Sequence, residues 1–282
     1  MLSEKYRPQN LADVVGRDDI VESLVKYKKS KSIPNILMIG PAGTGKTTLA
    51  KLWIKYLHGE SYKLNAMELN SSDENSIEVV RTKIKEFVIK KSLGSNYPKI
   101  VFLDEADRMS LASQGALKKI MESYDAKFIL CANSDNIDAP IKSRCVVYRF
   151  NDLKDEDIEQ RLKYIIEHEN LEVSDKDINK IIKNASGDMR QAINLLQSVN
   201  GGIELSEEIT NYKLLDLNIK DFEDKILYKY EAKKIIEKLF NEVIKAKKYD
   251  KISALATADY RVSLQTIKTL QVLDAFMQVK GE

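Results

Sequence analysis

The sequence predicts an α/β fold, a parallel sheet with helices on both faces, followed by two smaller helical regions. Three observations carry that expectation. Strand-like and helix-like segments alternate over residues 1–150, a glycine-rich loop joins the first strand candidate to a helix, and the strand signal stops at Asp152. The strand candidates are 35–39, 66–70, 99–103, 127–132 and 145–150, short apolar runs of the kind that a parallel sheet buries on both faces. Helical apolar spacing falls between them, near 18–29, 46–57, 76–91 and 110–124. Beyond Asp152, residues 155–169 (Ile158, Leu162, Ile165, Ile166), 174–184 (Ile178, Ile181, Ile182) and 188–199 (Met189, Ile193, Leu195, Leu196, Val199) read as three short helices. Asp155 and Ser174 are candidate N-caps. The lysine-rich tail, 206–282, reads as helical, with amphipathic segments near 231–247 and 259–279 and a hinge expected at Gly201-Gly202. The expected domains are 1–151, 152–202 and 203–282.

Composition narrows the class. A chain of 282 residues, 43% hydrophobic and 31% charged, is expected to be soluble and helix-rich. It contains no apolar run of membrane-spanning length, and Met1-Leu2-Ser3-Glu4-Lys5 does not resemble a signal peptide, so no membrane partner is expected. Cys131 and Cys145 lie in or beside apolar runs and are expected as buried thiols of a reducing compartment. The net charge of +2 is unevenly spread, with 24 Lys+Arg against 18 Asp+Glu in residues 1–150 and 21 against 25 in the remainder. That surplus bears on partners only if the positive groups share one face.

The loop Gly40-Pro41-Ala42-Gly43-Thr44-Gly45-Lys46-Thr47 fits G-x-x-x-x-G-K-[ST] and is followed by Thr48. Glycines let the backbone wrap a polyphosphate, so that successive N–H groups and a helix N-terminus face its charge. Lys46 is expected to reach the outer phosphates and Thr47 to hold Mg2+. The apolar strand before Asp104-Glu105 would deliver Asp104 beside that loop as a second Mg2+ holder, with Glu105 placed to activate the attacking water. Asn133 ends the next strand, where an amide could orient the water or the γ-phosphate, or simply form a turn. Arg144 precedes the last strand candidate and could act in trans on a neighbour's γ-phosphate, or be a surface residue. Arg190, opening the third helix of the middle region, could fold onto the nucleotide or make a helix-start ion pair.

These residues together resemble the AAA+ ATPases and, within them, the clamp loaders. Glu4-Lys5-Tyr6-Arg7-Pro8, Val15-Gly16, Gly40 to Thr47, Asp104-Glu105-Ala106-Asp107, Ser143-Arg144-Cys145 and Gly187-Asp188-Met189-Arg190-Gln191-Ala192-Ile193-Asn194 look like the small subunit of archaeal or eukaryotic replication factor C. Leu69-Asn70-Ser71-Ser72-Asp73-Glu74 resembles the stretch after that family's second strand, although Asn75-Ser76 stand where the family usually has Arg-Gly. The resemblance is dense over 1–200 and returns from Tyr260-Arg261 to Phe276, near the family's last collar helix. The intervening region is shorter than the usual collar.

The resemblance implies an AAA+ nucleotide-binding domain, a helical lid and a helical collar that oligomerises. Tyr6, Arg7, Val14 and Val15 would line the adenine pocket, Lys46 and Thr47 would bind phosphates and Mg2+, and Asp104 and Glu105 would hold metal and activate water. Asn133 would be the first sensor, Arg190 the second, and Arg144 the finger acting on ATP in an adjacent subunit. The implied cofactors are ATP and Mg2+. The implied partners are a large subunit and further small subunits in a five-membered spiral, a sliding clamp, and primer–template DNA. The implied location is the cytoplasm, on the nucleoid, for an archaeal chain, or the nucleus for a eukaryotic one, with the archaeal type favoured.

Arg81 and Lys85 share one face of the segment Ser76 to Lys91, away from its stripe of Ile77, Val80, Ile84, Phe87 and Val88. With Lys118 and Lys119 they occupy positions that in clamp loaders track DNA phosphates, a salt-sensitive mode blind to base sequence. Ile89, Leu93 and Tyr97 are candidates for an exposed apolar plug against the clamp. Two alternatives compete. A helicase loader or branch-migration motor is expected to add a winged helix, which the tail does not suggest. A non-catalytic ring scaffold would need a broken catalytic set, yet Lys46, Asp104, Glu105, Asn133, Arg144 and Arg190 are all present.

Overall fold

In the computed structural model the described residues are 1–71, 80–203, 213–227, 230, 232–263 and 268–280. They belong to two compact units, Met1–Ile203 and Glu204–Glu282.

The first unit is built on five parallel strands: β1 (Asn35–Ile39), β2 (Ala66–Asn70), β3 (Ile100–Asp104), β4 (Lys127–Ala132) and β5 (Cys145–Arg149), in the order β2-β3-β4-β1-β5. Alternate side chains of each strand face opposite sides. Leu37 and Ile39 of β1 enter one apolar cluster with Val101, Leu103, Phe128 and Leu130, while Ile36 and Met38 enter the other with Phe102, Ile129 and Cys131. Burying each such side chain contributes roughly 1.5–3 kcal/mol, which holds the sheet centre rigid.

Helices cover both faces, as expected. A short α1 (Leu2–Lys5) precedes α2 (Asp18–Ser30) and α3 (Lys46–His58), whose Leu24, Leu49 and Trp53 seal the second cluster. After α4 (Tyr62–Asn65), the opposite face is covered by a wide helical turn at Val80–Ile84, α5 (Lys85–Val88) and α6 (Leu111–Ser123), through Ile84, Val88, Leu117, Ile120 and Met121. Of the helix expected over 76–91, the described part runs from Val80 and ends at Val88, three residues early, while residues 72–79, including Ile77, lie outside the described ones. A one-turn α7 (Ala139–Lys142) leads into β5.

Three helices follow the sheet: α8 (Asp155–Glu169), α9 (Asp175–Ala185) and α10 (Met189–Asn200). Ser174 caps α9 as expected, its side chain accepting from the Asp177 N–H. Asp155 is not a cap. Lys154 holds that position, and Asp155, Glu156 and Asp157 occupy the first turn of α8, where acidic side chains offset the helix dipole. Strand ends also differ slightly: β3 runs one residue further than expected, so Asp104 is its last residue, and β5 ends at Arg149.

The second unit is helical, with α11 (Ile219–Phe222), α12 (Ala232–Lys245), α13 (Ile252–Ser263) and α14 (Lys268–Lys280). The amphipathic segment expected near 259–279 is two helices packed on each other, the first beginning at Ile252. Their core includes Phe222 stacked on Phe276, with centroids 3.8 Å apart, and Leu239, Val243, Leu255 and Val272.

Candidate active site

Parallel strands that end in register bring their exit loops together. Ile39 of β1 pairs with Ala132 of β4, and Leu103 of β3 with Leu130, so the loop after β1, Asp104 at the end of β3, and Asn133 after β4 meet at one edge. A cavity of about 400 Å³ opens there, lined by Ala42 to Thr48, Asp104, Glu105 and Asn133. Tyr6, Arg7, Val14 and Val15 line the same cavity from the N-terminal segment, and Met189, Arg190 and Ile193 from α10. Gly40 and Pro41 do not line it; their carbonyls accept from Lys46 Nζ, at 2.7 Å each.

The loop needs its glycines for backbone reasons. Gly43 sits at φ +70, and a Cβ there would overlap the Asp188 carboxylate, so only glycine lets the N-terminus of α10 approach this closely. The Met189 N–H donates to the Gly43 carbonyl at 3.3 Å, and Asp188 caps α10 by accepting from the Gln191 N–H at 2.9 Å. Arg190 is thereby carried to the cavity wall.

Lys46 is buried at 6% exposure, and its amine also donates to Asn133 Oδ1 at 2.9 Å. Burial pushes the Lys46 ammonium below the ordinary lysine range, Arg190 pushes the same way, and Cys131, Asp104 and Asp107 oppose them. The Thr47 hydroxyl donates to Asp104 Oδ2 at 2.9 Å. A hydroxyl beside a carboxylate is the hard-oxygen pair that holds Mg2+ when substrate phosphates and water complete the shell.

Glu105 has its backbone in the left-handed region, φ 52, with its N–H donating to Asp104 Oδ1 at 3.0 Å. Its carboxylate lies 3.3 Å from the Arg108 guanidinium. Asp107 went unassigned in the sequence, although it completes the Asp-Glu-Ala-Asp run. Its carboxylate accepts from the Asn133 N–H and the Ser134 N–H, at 3.1 Å each, and from the Ser134 hydroxyl at 2.9 Å, fixing the β4 exit that carries the Asn133 amide. Arg161 was also missed. Arg161 lines the cavity and donates to the Tyr6 carbonyl at 2.6 Å, and the Tyr6 hydroxyl donates to Glu169, so two lid-side residues hold the N-terminal segment in place. Neither sits in a recognisable motif.

Arg144 lies elsewhere. It precedes Cys145, which pairs with Asn35 at the start of β1, whereas the phosphate loop leaves the other end of β1. A five-residue strand puts roughly 15 Å between them. Arg144 is exposed; its guanidinium pairs with Glu122 and donates to the Pro140 carbonyl at 2.6 Å.

Of the candidate phosphate-tracking residues, Lys85 and Lys119 line one groove of about 600 Å³ between α5 and α6, together with Glu86, Ile89, Ser123 and Tyr124. Lys118 is half-buried one residue before, and the side chain of Arg81 lies outside the described residues. Ile89 and Leu93 are exposed, at 58% and 59%. Tyr97 is not a plug residue: it is half-buried against the α3 core, edge-on to His58 with centroids 6.3 Å apart.

Two family models match the chain: the ATPase family associated with various cellular activities (AAA) over residues 36–153, and the RCF1/5-like AAA+ ATPase lid domain over 160–200. Among curated relatives, the replication factor C small subunit of Methanococcus maripaludis is 44% identical over 75% of this chain and 68% of that one. Its counterpart in Methanothermobacter thermautotrophicus is 45% identical over 76% and 66%, and that of Staphylothermus marinus 46% over 70% and 60%. Among solved structures, the Thermotoga maritima RuvB Holliday junction branch migration motor superposes with TM-score 0.56 at 20% identity, over 70% of this chain and 65% of that one. A single-site variant of the same protein gives 0.60 at 18%, over 96% and 90%. Identity this low speaks for the fold alone.

Proposed function

This chain belongs to the replication factor C small subunit family of AAA+ ATPases, and from that membership we propose that it uses ATP binding and hydrolysis to open a sliding clamp and load it onto primer–template DNA. It binds nucleotide and hydrolyses ATP as a member of that family. The observation that carries the reading is the meeting of Lys46, Thr47, Asp104, Glu105 and Asn133 on one cavity while Arg144 stands at the far end of β5.

The roles proposed for these residues come from the family resemblance, and their shared cavity supports them. The N–H groups of Gly43 to Thr48 and the Lys46 ammonium receive the phosphates, and Tyr6, Arg7, Val14 and Val15 enclose the base. Thr47 and Asp104 would hold Mg2+, which would neutralise phosphate charge. Glu105 takes the proton of the attacking water, Asn133 orients that water or the γ-phosphate, and Arg190 reports the nucleotide to the lid. Arg144 is too far to serve its own loop; its exposure suits it to an adjacent subunit's γ-phosphate, making the site complete only in an assembly. Residues 1–151 would bind nucleotide, 152–202 form the lid, and 203–282 the collar.

The partners that follow are a large subunit and further small subunits in a spiral, the clamp, and primed DNA, the last held electrostatically by Lys85, Lys118, Lys119 and Arg81. No helix among the described residues is long and apolar enough to cross a membrane, and the relatives are archaeal, which favours a cytoplasmic, nucleoid-associated location. The likeness to a branch-migration motor, at 18–20% identity, is outweighed by 44–46% identity to small subunits. The test is ATP hydrolysis by the chain with its large subunit. Clamp and primed DNA together should raise the rate at least about tenfold. A rate unmoved by either would exclude clamp loading.

A further inference from the structure

Arg17 is a buried cation, 8% exposed, that takes no place in the site described above. Its Nε and Nη2 donate to the Thr44 carbonyl at 3.4 and 3.3 Å, Nη2 also donates to the Asn151 carbonyl at 2.6 Å, and Nη1 to the Gly16 carbonyl at 3.2 Å. The guanidinium carbon lies 5.0 Å from the centroid of the Phe150 ring. Burial lowers its pKa from the usual arginine value, while Asp157, Asp19 and Asp152 favour the charged form. Gly16, at φ +68, has no Cβ to obstruct the Asp157 carboxylate of α8. One side chain therefore ties together the N-terminal segment and the phosphate loop, and extends the tie to the β5 exit.

Packing alone does not account for it. Burying a charge costs several kcal/mol unless its donors are satisfied, and an apolar side chain would fill the space without that cost. What the guanidinium uniquely supplies is a rigid fork of donors, here aimed at backbone carbonyls in separate segments. In a planar trans peptide the C=O and the following N–H point in opposite directions. With the Thr44 carbonyl drawn toward Arg17, the Gly45 N–H is turned to the other side, and Gly45 lines the cavity.

We propose that Arg17 is a positioning residue for the phosphate site: it anchors the Thr44 carbonyl to the β5 exit and thereby fixes the direction of the N–H groups that receive polyphosphate. The proposal rests on the phosphate-loop reading of the site. It assigns Arg17 no contact with the nucleotide. It predicts that losing the fork impairs recognition of phosphates but not of the base.

The experiment compares the full-length chain with Arg17→Met, which fills the space without donors, and Arg17→Lys, which keeps a charge but loses the fork. Binding of ATP, ADP and adenosine is measured by titration calorimetry at a temperature where each variant is folded. Arg17→Met should weaken ATP and ADP about tenfold, the loss expected when one N–H of the loop no longer meets the phosphate, and change adenosine by less than about twofold. ATP affinity equal to the wild type, or a parallel loss of adenosine, would overturn the proposal. Where Arg17→Met does not fold, Arg17→Lys decides: its ATP-to-adenosine affinity ratio should fall at least about threefold, and an unchanged ratio overturns the proposal. Lys46→Ala is run alongside. If it binds ATP like the wild type, the phosphate-loop reading itself fails; if it loses ATP while the Arg17 variants do not, only the role of Arg17 is refuted.

Discussion

Glu105 carries the sharpest demand at the scale of single residues. A side chain in the left-handed region costs about 1 kcal/mol or more, and here that strain turns Glu105 out of the β3 line at the mouth of the cavity. Glu105→Gln keeps the shape and would remove the proposed base. Hydrolysis should fall at least about 100-fold while ATP affinity stays within about threefold, measured by steady-state turnover and equilibrium binding. His58 makes a different prediction. Burial, with the Lys28 ammonium adding to it, pushes its imidazole down to about 4 from 6.5, and Nδ1 shares a hydrogen bond of 2.8 Å with Ser95 Oγ. The unfolded chain takes up this proton near 6.5 and the folded chain only near 4. Stability is therefore present in full above 6.5 and lost as the pH falls toward 4, by on the order of 3 kcal/mol. Denaturant titrations from pH 7 to 4 should show that slope, and His58→Gln should flatten it; an identical slope in the variant would assign the loss to other groups. The meeting of Lys46, Thr47, Asp104 and Glu105 on one cavity was legible in the sequence because they fall in two contiguous patterns, each at the end of a strand candidate. Arg17 and Asp107 were not, because each works by accepting or donating to backbone groups distant in sequence, and nothing in Gly16-Arg17-Asp18-Asp19 distinguishes a buried fork from a solvated helix start.

Among the elements, the sheet was the most legible, since short apolar runs in a parallel sheet leave little choice of strand. Helix edges were less so. Asp155 mimics a cap by composition, yet Lys154 takes the extended cap geometry, and the acidic turn acts through the dipole instead. The α5 region departs furthest, because its apolar stripe suits a continuous helix while the described segment ends at Val88. Its position still leaves Lys85 and Lys119 on one groove with α6, a pairing across elements that sequence spacing cannot show. Two cations on one groove act together on a phosphate backbone, and their contribution should decline with salt. The double variant Lys85→Glu with Lys119→Glu should reduce DNA stimulation of hydrolysis at least about fivefold at moderate salt, with basal turnover unchanged. Full stimulation in the variant would remove this groove from the DNA path.

For the whole molecule, the central claim is that the catalytic constellation is divided between chains. One edge of the sheet gathers the groups that bind and activate, and the opposite edge presents Arg144, paired with Glu122 and exposed. The family resemblance implies that division, and the β1–β5 register supports the proposal, because a residue before a parallel strand cannot reach the loop that leaves the other end. The most direct measurement is ATP binding by the isolated chain and ATP hydrolysis by the assembly, both for Arg144→Ala. The account predicts binding within about twofold of the wild type and hydrolysis reduced at least about 1,000-fold, the scale of a missing arginine finger. Hydrolysis at the wild-type rate, or a loss of ATP binding in the isolated chain, would contradict it.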